Sequence, residues 1–413
     1  MQSSTPVLSP AWEYQTLQAW LRLILTPGVG NATVRRLLTC LGSAEAVFDA
    51  PVQTLQACVS ATQAMRLHQI PPGLDALVQT TWRWLHTPAP GSAHALITLG
   101  DCRYPTALLH IEDPPPMLYM VGPVAWLEHR APLLDMAHSL AIIGTRNPTV
   151  QGAENARQFA RTLASMGWCI VSGLAAGVDA AAHEGALDAP SIQSPTAQIN
   201  APVTIAVVGT GIDRVYPAKH RVLSHRIAQH GVLLSEFPLG TPPIANNFPK
   251  RNRIISGLTC GTLVVEAALA SGSLITARLA CEQGREVFAI PGSIHTPQSR
   301  GCHALIRQGA KLVETAQDVV EELQQFPQPL QATPTLKASP APSMPAGVLT
   351  PTAAIPPAHP LLQALGYDPV GLDALSIRTG WDVAALQAQL LELELDGWVA
   401  ALPGGLFQRT GIA

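Results

Sequence analysis

Residues 245–266 read Ala-Asn-Asn-Phe-Pro-Lys-Arg-Asn-Arg-Ile-Ile-Ser-Gly-Leu-Thr-Cys-Gly-Thr-Leu-Val-Val-Glu. Lys250, Arg251 and Arg253 crowd into four positions beside Asn246, Asn247 and Asn252, in a chain that is only 13% charged and holds four lysines. An apolar, glycine-containing run follows at once, so the cations stand at the mouth of a folded element. Guanidinium groups pair phosphate oxygens bidentately and an ammonium adds a point charge, so phosphate is the ligand this cluster best suits. The competing reading is a solvated face with ordinary ion pairs.

Three other loops carry candidate chemistry. An apolar run ends in Gly144-Thr145-Arg146. A strand that turns at glycine into a helix is where α/β proteins gather anions, because free N–H groups and the helix dipole converge there. No GxGxxG is present, so Arg146 either fills the pyrophosphate volume or meets a phosphate itself; a structural arginine is the alternative. The second loop, Ser172-Gly173-Leu174-Ala175-Ala176-Gly177-Val178-Asp179, repeats the pattern. Asp179 and His183 lie four apart, the spacing of an acid/base pair, although a carboxylate capping backbone N–H groups beside a packed histidine fits better. The third loop is Gly209-Thr210-Gly211-Ile212-Asp213, followed by Tyr216-Pro217-Ala218-Lys219-His220-Arg221. One aromatic among cations is the vocabulary of single-strand binding. Glu266 follows its strand directly and is read as holding the arginine cluster in shape, with ribose binding or catalysis as the other uses of a carboxylate there.

Bulk properties narrow the classes. The formal net charge of −3 gives no global attraction for polyanions, so nucleic-acid binding must come from a focused patch. Cysteines stand at 40, 58, 102, 169, 260, 281 and 302, with no CxxC spacing. An odd count in a long chain argues against a disulfide scaffold or zinc site and for reduced thiols in a cytoplasmic protein. Met1 to Pro10 lack a signal-peptide pattern, and no apolar run reaches the roughly 18 residues of a membrane span. GxxxxGK[ST] and GxSxG are both absent, which excludes a Walker-type ATPase and a nucleophile-elbow hydrolase.

At 413 residues the chain is expected to hold two or three domains. Residues 10–90 read as helical. Apolar residues at helical spacing flank Pro27-Gly28-Val29-Gly30, the pattern of a helix-hairpin-helix or SAM-like domain. Its turn either offers backbone N–H groups to phosphates or is a plain corner. Residues 95–140 read as a loop-rich bridge with a rigid Asp113-Pro114-Pro115-Pro116 turn and a short strand over Met117–Val121. From 140 to 320, glycine-bounded β-branched runs alternate with helices. That predicts an α/β, extended Rossmann-like open parallel sheet with helices on both faces, the whole domain covering 95–324. Ala189–Pro202 interrupts it as a mobile surface loop, and the Pro/Ala-rich stretch 325–359 is expected to be a linker. Residues 360–413 read as three helices and a hairpin, a winged helix. Glu392, Glu394 and Asp396 make its third helix acidic, which favours a protein contact or weak DNA role over duplex reading.

Taken in order, these blocks resemble the DNA-processing protein A family, also called Smf, of bacterial natural transformation. The resemblance rests on Ala141–Arg146, Val171–Asp179 with Ala182-His183, Gly209-Thr210-Gly211 with Tyr216-Pro217, and Ser235–Pro238. It continues through Asn247–Leu258, Glu266-Ala267, Ser271–Ala277, Gly284–Gly292 and Gly309-Ala310. It implies a homodimeric, non-enzymatic protein that binds single-stranded DNA without a nucleotide cofactor or metal and loads the RecA recombinase onto incoming strands. Arg146 matches the family's strand-binding arginine, and Lys250, Arg251 and Arg253 match its basic motif. Many relatives carry a cation where this chain has Ala176. The expected DNA contacts are Gly144, Thr145, Arg146, Ser172, Gly173, Gly209, Gly211, Lys219, Asn247, Lys250, Arg251, Asn252 and Arg253. Two other readings compete. One is a phosphoribohydrolase-like enzyme, suggested by Glu266 and the partial match Gly257-Leu258-Thr259-Cys260-Gly261-Thr262. The other is an architectural adaptor acting through the winged helix.

Overall fold

The computed structural model describes residues 12–127, 138–190, 202–325, 360–365, 370–395, 399–402 and 406–409. The 325–359 linker, apart from its first residue, and most of the 189–202 insertion lie outside these. The chain divides into two compact units on either side of residue 331.

The larger unit begins with six helices, Tyr14–Leu25, Asn31–Leu41, Ala44–Asp49, Val52–Cys58, Ala61–His68 and Leu74–His86. Leu17, Leu21, Val34, Leu37, Leu55 and Leu67 recur at helical spacing and are buried. Their core is continuous with Leu96, Tyr119, Ala206 and Leu233 on the sheet, so no break in packing falls near residue 90. The glycine turn between the first two helices is held from within. Arg66 donates to the Pro27 carbonyl at 3.2 Å and Gln63 to that of Gly28 at 2.8 Å. Gly28 has φ +78°, a conformation that disfavours a side chain.

The sheet has nine strands: β1 (Ser92–Thr98), β2 (Met117–Pro123), β3 (Ser139–Ile143), β4 (Cys169–Ser172), β5 (Thr204–Val207), β6 (Val232–Ser235), β7 (Gly261–Val264), β8 (Glu286–Ala289) and β9 (Lys311–Leu312). Their order is β1-β2-β6-β5-β4-β3-β7-β8-β9. The seven from β6 to β9 run parallel, with Leu140 opposite Ile170 and Ala141 opposite Thr262. β3 to β7 are buried throughout, which explains their uninterrupted apolar runs. The sheet is therefore parallel with an antiparallel edge. β1 and β2 form a hairpin that joins β6 through β2. β1 was not expected from Ser-Ala-His-Ala-Leu-Ile-Thr, where two alanines and a histidine weaken the strand signal.

Helices cover both faces. Asn247–Gly257, Ser273–Glu282 and Arg300–Arg307 pack on one side through Ile254, Ile255, Ala277, Ala280 and Cys302. Val150–Ser165, Val178–Leu187 and Ala316–Gln325 pack on the other through Ala156, Leu163, Ala182 and Val319.

The smaller unit has helices Pro360–Leu365, Leu372–Thr379 and Val383–Leu395, and strands β10 (Val370–Gly371), β11 (Val399–Leu402) and β12 (Leu406–Arg409) in the order β10-β12-β11. Its core is Leu361, Leu365, Leu375, Leu386, Leu390 and Leu393, the architecture of a winged helix. Glu392 and Glu394 are exposed on its third helix, and Asp396 lies outside the described residues. No described helix is long and apolar enough to cross a membrane.

Candidate nucleic-acid interface

Strand order reverses between β3 and β7: from β3 the chain winds one way to β6, and with β7 it returns to the other side. Doubly wound sheets place ligands at the carboxyl ends of the strands flanking such a reversal. A cleft of about 730 Å³ opens there, lined by Gly144, Thr145, Arg146, Tyr216, Phe248, Arg251, Asn252, Ser271, Ser273 and Thr276 among others.

The amides of Thr145, Gly173 and Gly211, expected to receive phosphate, already have partners. Thr145 N donates to the Glu266 carbonyl at 2.7 Å. The Glu266 carboxylate accepts from Thr149 N at 2.9 Å and from Thr149 Oγ1 at 2.5 Å. Glu266 therefore fills the start of helix Val150–Ser165, and does not brace the arginine cluster as its sequence position suggested. In the next loop Asp179 Oδ2 accepts from Gly173 N at 3.1 Å and Ala175 N at 3.3 Å, so the loop after β4 also wraps an internal carboxylate. Burial pushes the Asp179 carboxyl above its ordinary range, against the pull of Arg251 and these N–H groups. Gly211 N donates to the Thr241 carbonyl at 3.0 Å. Ser172 is buried, its hydroxyl spent on the Ile142 carbonyl at 2.6 Å. His183 Nδ1 meets Thr204 Oγ1 at 2.7 Å, and burial lowers its imidazole to about 3, so it packs as a neutral ring.

What these glycines supply is closeness. A Cβ on Gly144 would lie 2.8 Å from the Glu266 carbonyl, and one on Gly209 would lie 2.8 Å from the Phe248 ring. The reversal and the ring therefore pack against bare backbone.

The basic motif forms helix Asn247–Gly257, which separates its cations. Lys250 is exposed, Asn252 half-buried on the cleft wall and Asn247 buried. Arg251 is 4% exposed and points inward. Its Nη1 donates to the Gly173 carbonyl at 2.7 Å and to that of Val207, tying the helix to the ends of β4 and β5. Burial lowers this guanidinium to about 10, while nearby Asp179 favours its charge. Arg253 is bidentate to Glu236, at 2.9 and 2.6 Å, with its side chain 13% exposed. Burial pushes the Glu236 carboxyl up and Arg253 opposes that. The sequence suggested three phosphate ligands; the structure turns Arg251 and Arg253 to internal partners. A helix cannot present residues 250, 251 and 253 on one face.

Arg146 is exposed after β3, with its guanidinium 5.9 Å from the centre of the Phe248 ring. Tyr216, 47% exposed, lies 5.5 Å from that ring between centroids. A smaller hollow of about 90 Å³ sits among Arg146, Ala176, Gly209, Tyr216, Phe248 and Arg251. Lys219 is exposed on the turn beyond Tyr216. Sequence reasoning passed over Phe248, whose signal was an aromatic inside the basic motif, and the hydroxyls of Ser271, Ser273 and Thr276. Asp179 is the one carboxylate among the described residues lining the large cleft, and it is bonded to amides. No cluster of metal-ligating side chains occurs among the described residues.

Comparison with known proteins agrees with this architecture. The profile of DNA recombination-mediator protein A matches residues 95–324, that of a DprA-like N-terminal HHH domain residues 15–70, and that of the DprA winged helix domain residues 341–405. Protein Smf of Escherichia coli K12 is 39% identical over 389 residues, 94% of each chain. DNA processing protein DprA of Bacillus subtilis is 41% identical over 227 residues, 55% of this chain and 70% of that one. The crystal structure of DNA processing protein A from Streptococcus pneumoniae superimposes with a TM-score of 0.58 at 33% identity, covering 76% of this chain and 99% of that one. The chain belongs to the DNA recombination-mediator protein A family, known as DprA or Smf.

Proposed function

We propose that this protein binds single-stranded DNA along the carboxyl edge of its sheet and, in the cytoplasm, hands the strand to the RecA recombinase. The observation that carries the reading is the arrangement around Phe248. Exposed Arg146 lies over a Tyr216–Phe248 pair that lines the cleft, with exposed Lys250 two residues beyond Phe248 on its helix and Lys219 on the turn beyond Tyr216. Cations that follow a backbone and rings that stack on bases are how proteins hold single strands. Gly144, Thr145, Gly173, Gly209 and Gly211 contribute shape, Asn252 a polar wall, and Arg251 and Arg253 hold the basic helix in place. Membership of a mediator family supports the handover to RecA. With no Walker motif, the transfer draws on binding energy and direct contact with a partner that hydrolyses ATP. We further place the protein as a homodimer formed through the sheet domain.

Glu266, the residue that suggested a phosphoribohydrolase, is committed to Thr149, which weighs against that reading. The test is binding of labelled oligonucleotides, single-stranded against blunt duplex of equal length, over a salt series. Tighter binding of single strands is expected, and equal or better duplex binding sinks the proposal. In a second assay the protein should speed RecA assembly on strands coated with single-strand-binding protein.

A further inference from the structure

Asp113, in the proline-rich turn that leads into β2, is held from two sides. Asn31 Nδ2 donates to Asp113 Oδ2 at 2.8 Å and Arg35 Nη1 to Oδ1 at 3.0 Å, both from the second N-terminal helix. Arg35 also donates to the Pro114 and Glu112 carbonyls, each at 3.2 Å, so it grips the turn as well as the carboxylate. From the opposite side Arg253 reaches Asp113 Oδ2 at 3.4 Å through Nε and 3.3 Å through Nη2. Charges therefore alternate in one line: Arg35, Asp113, Arg253, Glu236.

The line ends at the basic helix. Arg253 Nη1 also donates to the Lys250 carbonyl at 3.1 Å, so the paired guanidinium fixes the backbone that carries the exposed lysine. The same helix rests on the segment before the turn. A Cβ on Gly257 would lie 2.7 Å from Ile111, which leaves little room for the helix to shift.

We propose that Asp113, gripped by Asn31 and Arg35, is a positioning residue for DNA binding: it couples the N-terminal helices to helix Asn247–Gly257 and so sets where exposed Lys250 and cleft-lining Asn252 stand. The inference rests on the reading of the cleft as the DNA site. It gives the helical front of the chain a part in binding that needs no contact with DNA.

The sign of one substitution separates positioning from simple electrostatics. Removing a carboxylate near a polyanion site strengthens binding if charge alone matters. Asp113→Ala is expected instead to weaken binding of a labelled oligothymidylate about three- to tenfold. The salt slope should stay unchanged, because every phosphate keeps its cation. Amide exchange in 247–257 should quicken. Arg35→Lys preserves charge but removes the fork that spans Asp113 and two carbonyls, and is expected to weaken binding in the same way. It also serves if the Asp113 variant does not fold. Unchanged or tighter binding by folded Asp113→Ala, or by Arg35→Lys where the first does not fold, overturns the proposal. Lys250→Ala run alongside tests the underlying reading separately: a slope that does not fall shows that the cleft reading has failed.

Discussion

The loop after β3 and the helix after β6 both bring arginine to the carboxyl edge of the sheet, and they treat it oppositely. Arg146 stands in solvent with an aromatic ring beneath it. Arg251 and Arg253, on the helix richest in positive charge, face carbonyls and carboxylates inside the fold. A basic motif is therefore not a count of ligand-facing charges. Here two of its three cations build the support on which the third, Lys250, is displayed.

The largest effect should come from the inward set. Arg251→Met strands two carbonyls and leaves Asp179 without its nearest cation, and breaking such a buried arrangement costs roughly 3–5 kcal/mol. Urea denaturation should show this, and a variant as stable as wild type would remove the contrast between the two sets. The outward set should behave in the reverse manner. Arg146→Ala with Lys250→Ala should keep the melting temperature while the single-strand salt slope falls by about 1.4, roughly 0.7 for each phosphate no longer neutralised. The same double variant should contact RecA normally and yet fail to stimulate its assembly. Full stimulation by that variant would mean that these cations are not the working step.

Tyr216→Ala should be milder, weakening strands by roughly 1–3 kcal/mol per stacked base with the slope retained. A change in slope instead would place the tyrosine beside phosphate. The smallest effect at neutral pH belongs to His183. Its folded-state value is lowered from 6.5 to about 3, so the unfolded chain takes up the proton first as pH falls. Stability from this group is present above about 6.5 and is lost progressively toward 3. His183→Asn should flatten the acid limb of a stability–pH curve, and an unaltered limb would show that the ring is not held neutral.

Much of the frame was legible along the chain. Runs such as Leu140–Ile143 and Ile205–Val207 announce buried parallel strands because both faces must be apolar, and Gly144 and Gly209 mark the carboxyl edge of the sheet. The capping role of Asp179 was legible too, because it is local: the carboxylate and the amides it takes are at most six residues apart. What escaped were partnerships across the fold. Arg253 and Asp113 are 140 positions apart, and Glu266 finds Thr149 across 117. No spacing rule reaches that far, so a carboxylate that looked poised for ligand or arginine proved to hold the cap residue of a helix. β1 escaped for a different reason: two alanines and a histidine weaken the strand signal of Leu96 and Ile97, and β2 offers an edge with which all seven residues pair.

The two internal carboxylates in the strand-to-helix loops also bear on how a strand leaves. Amides at a helix terminus hold an anion rigidly and all at once. With Glu266 and Asp179 already holding the amides of Thr149, Gly173 and Ala175, attraction falls to long side chains, each able to release one phosphate while its neighbours keep hold. A strand gripped in this way can be peeled off in increments by a competing polymer, each vacated site being taken before it closes again. Its residence time then falls as the competitor's concentration rises, so a filament growing along the strand would clear this protein from its own path.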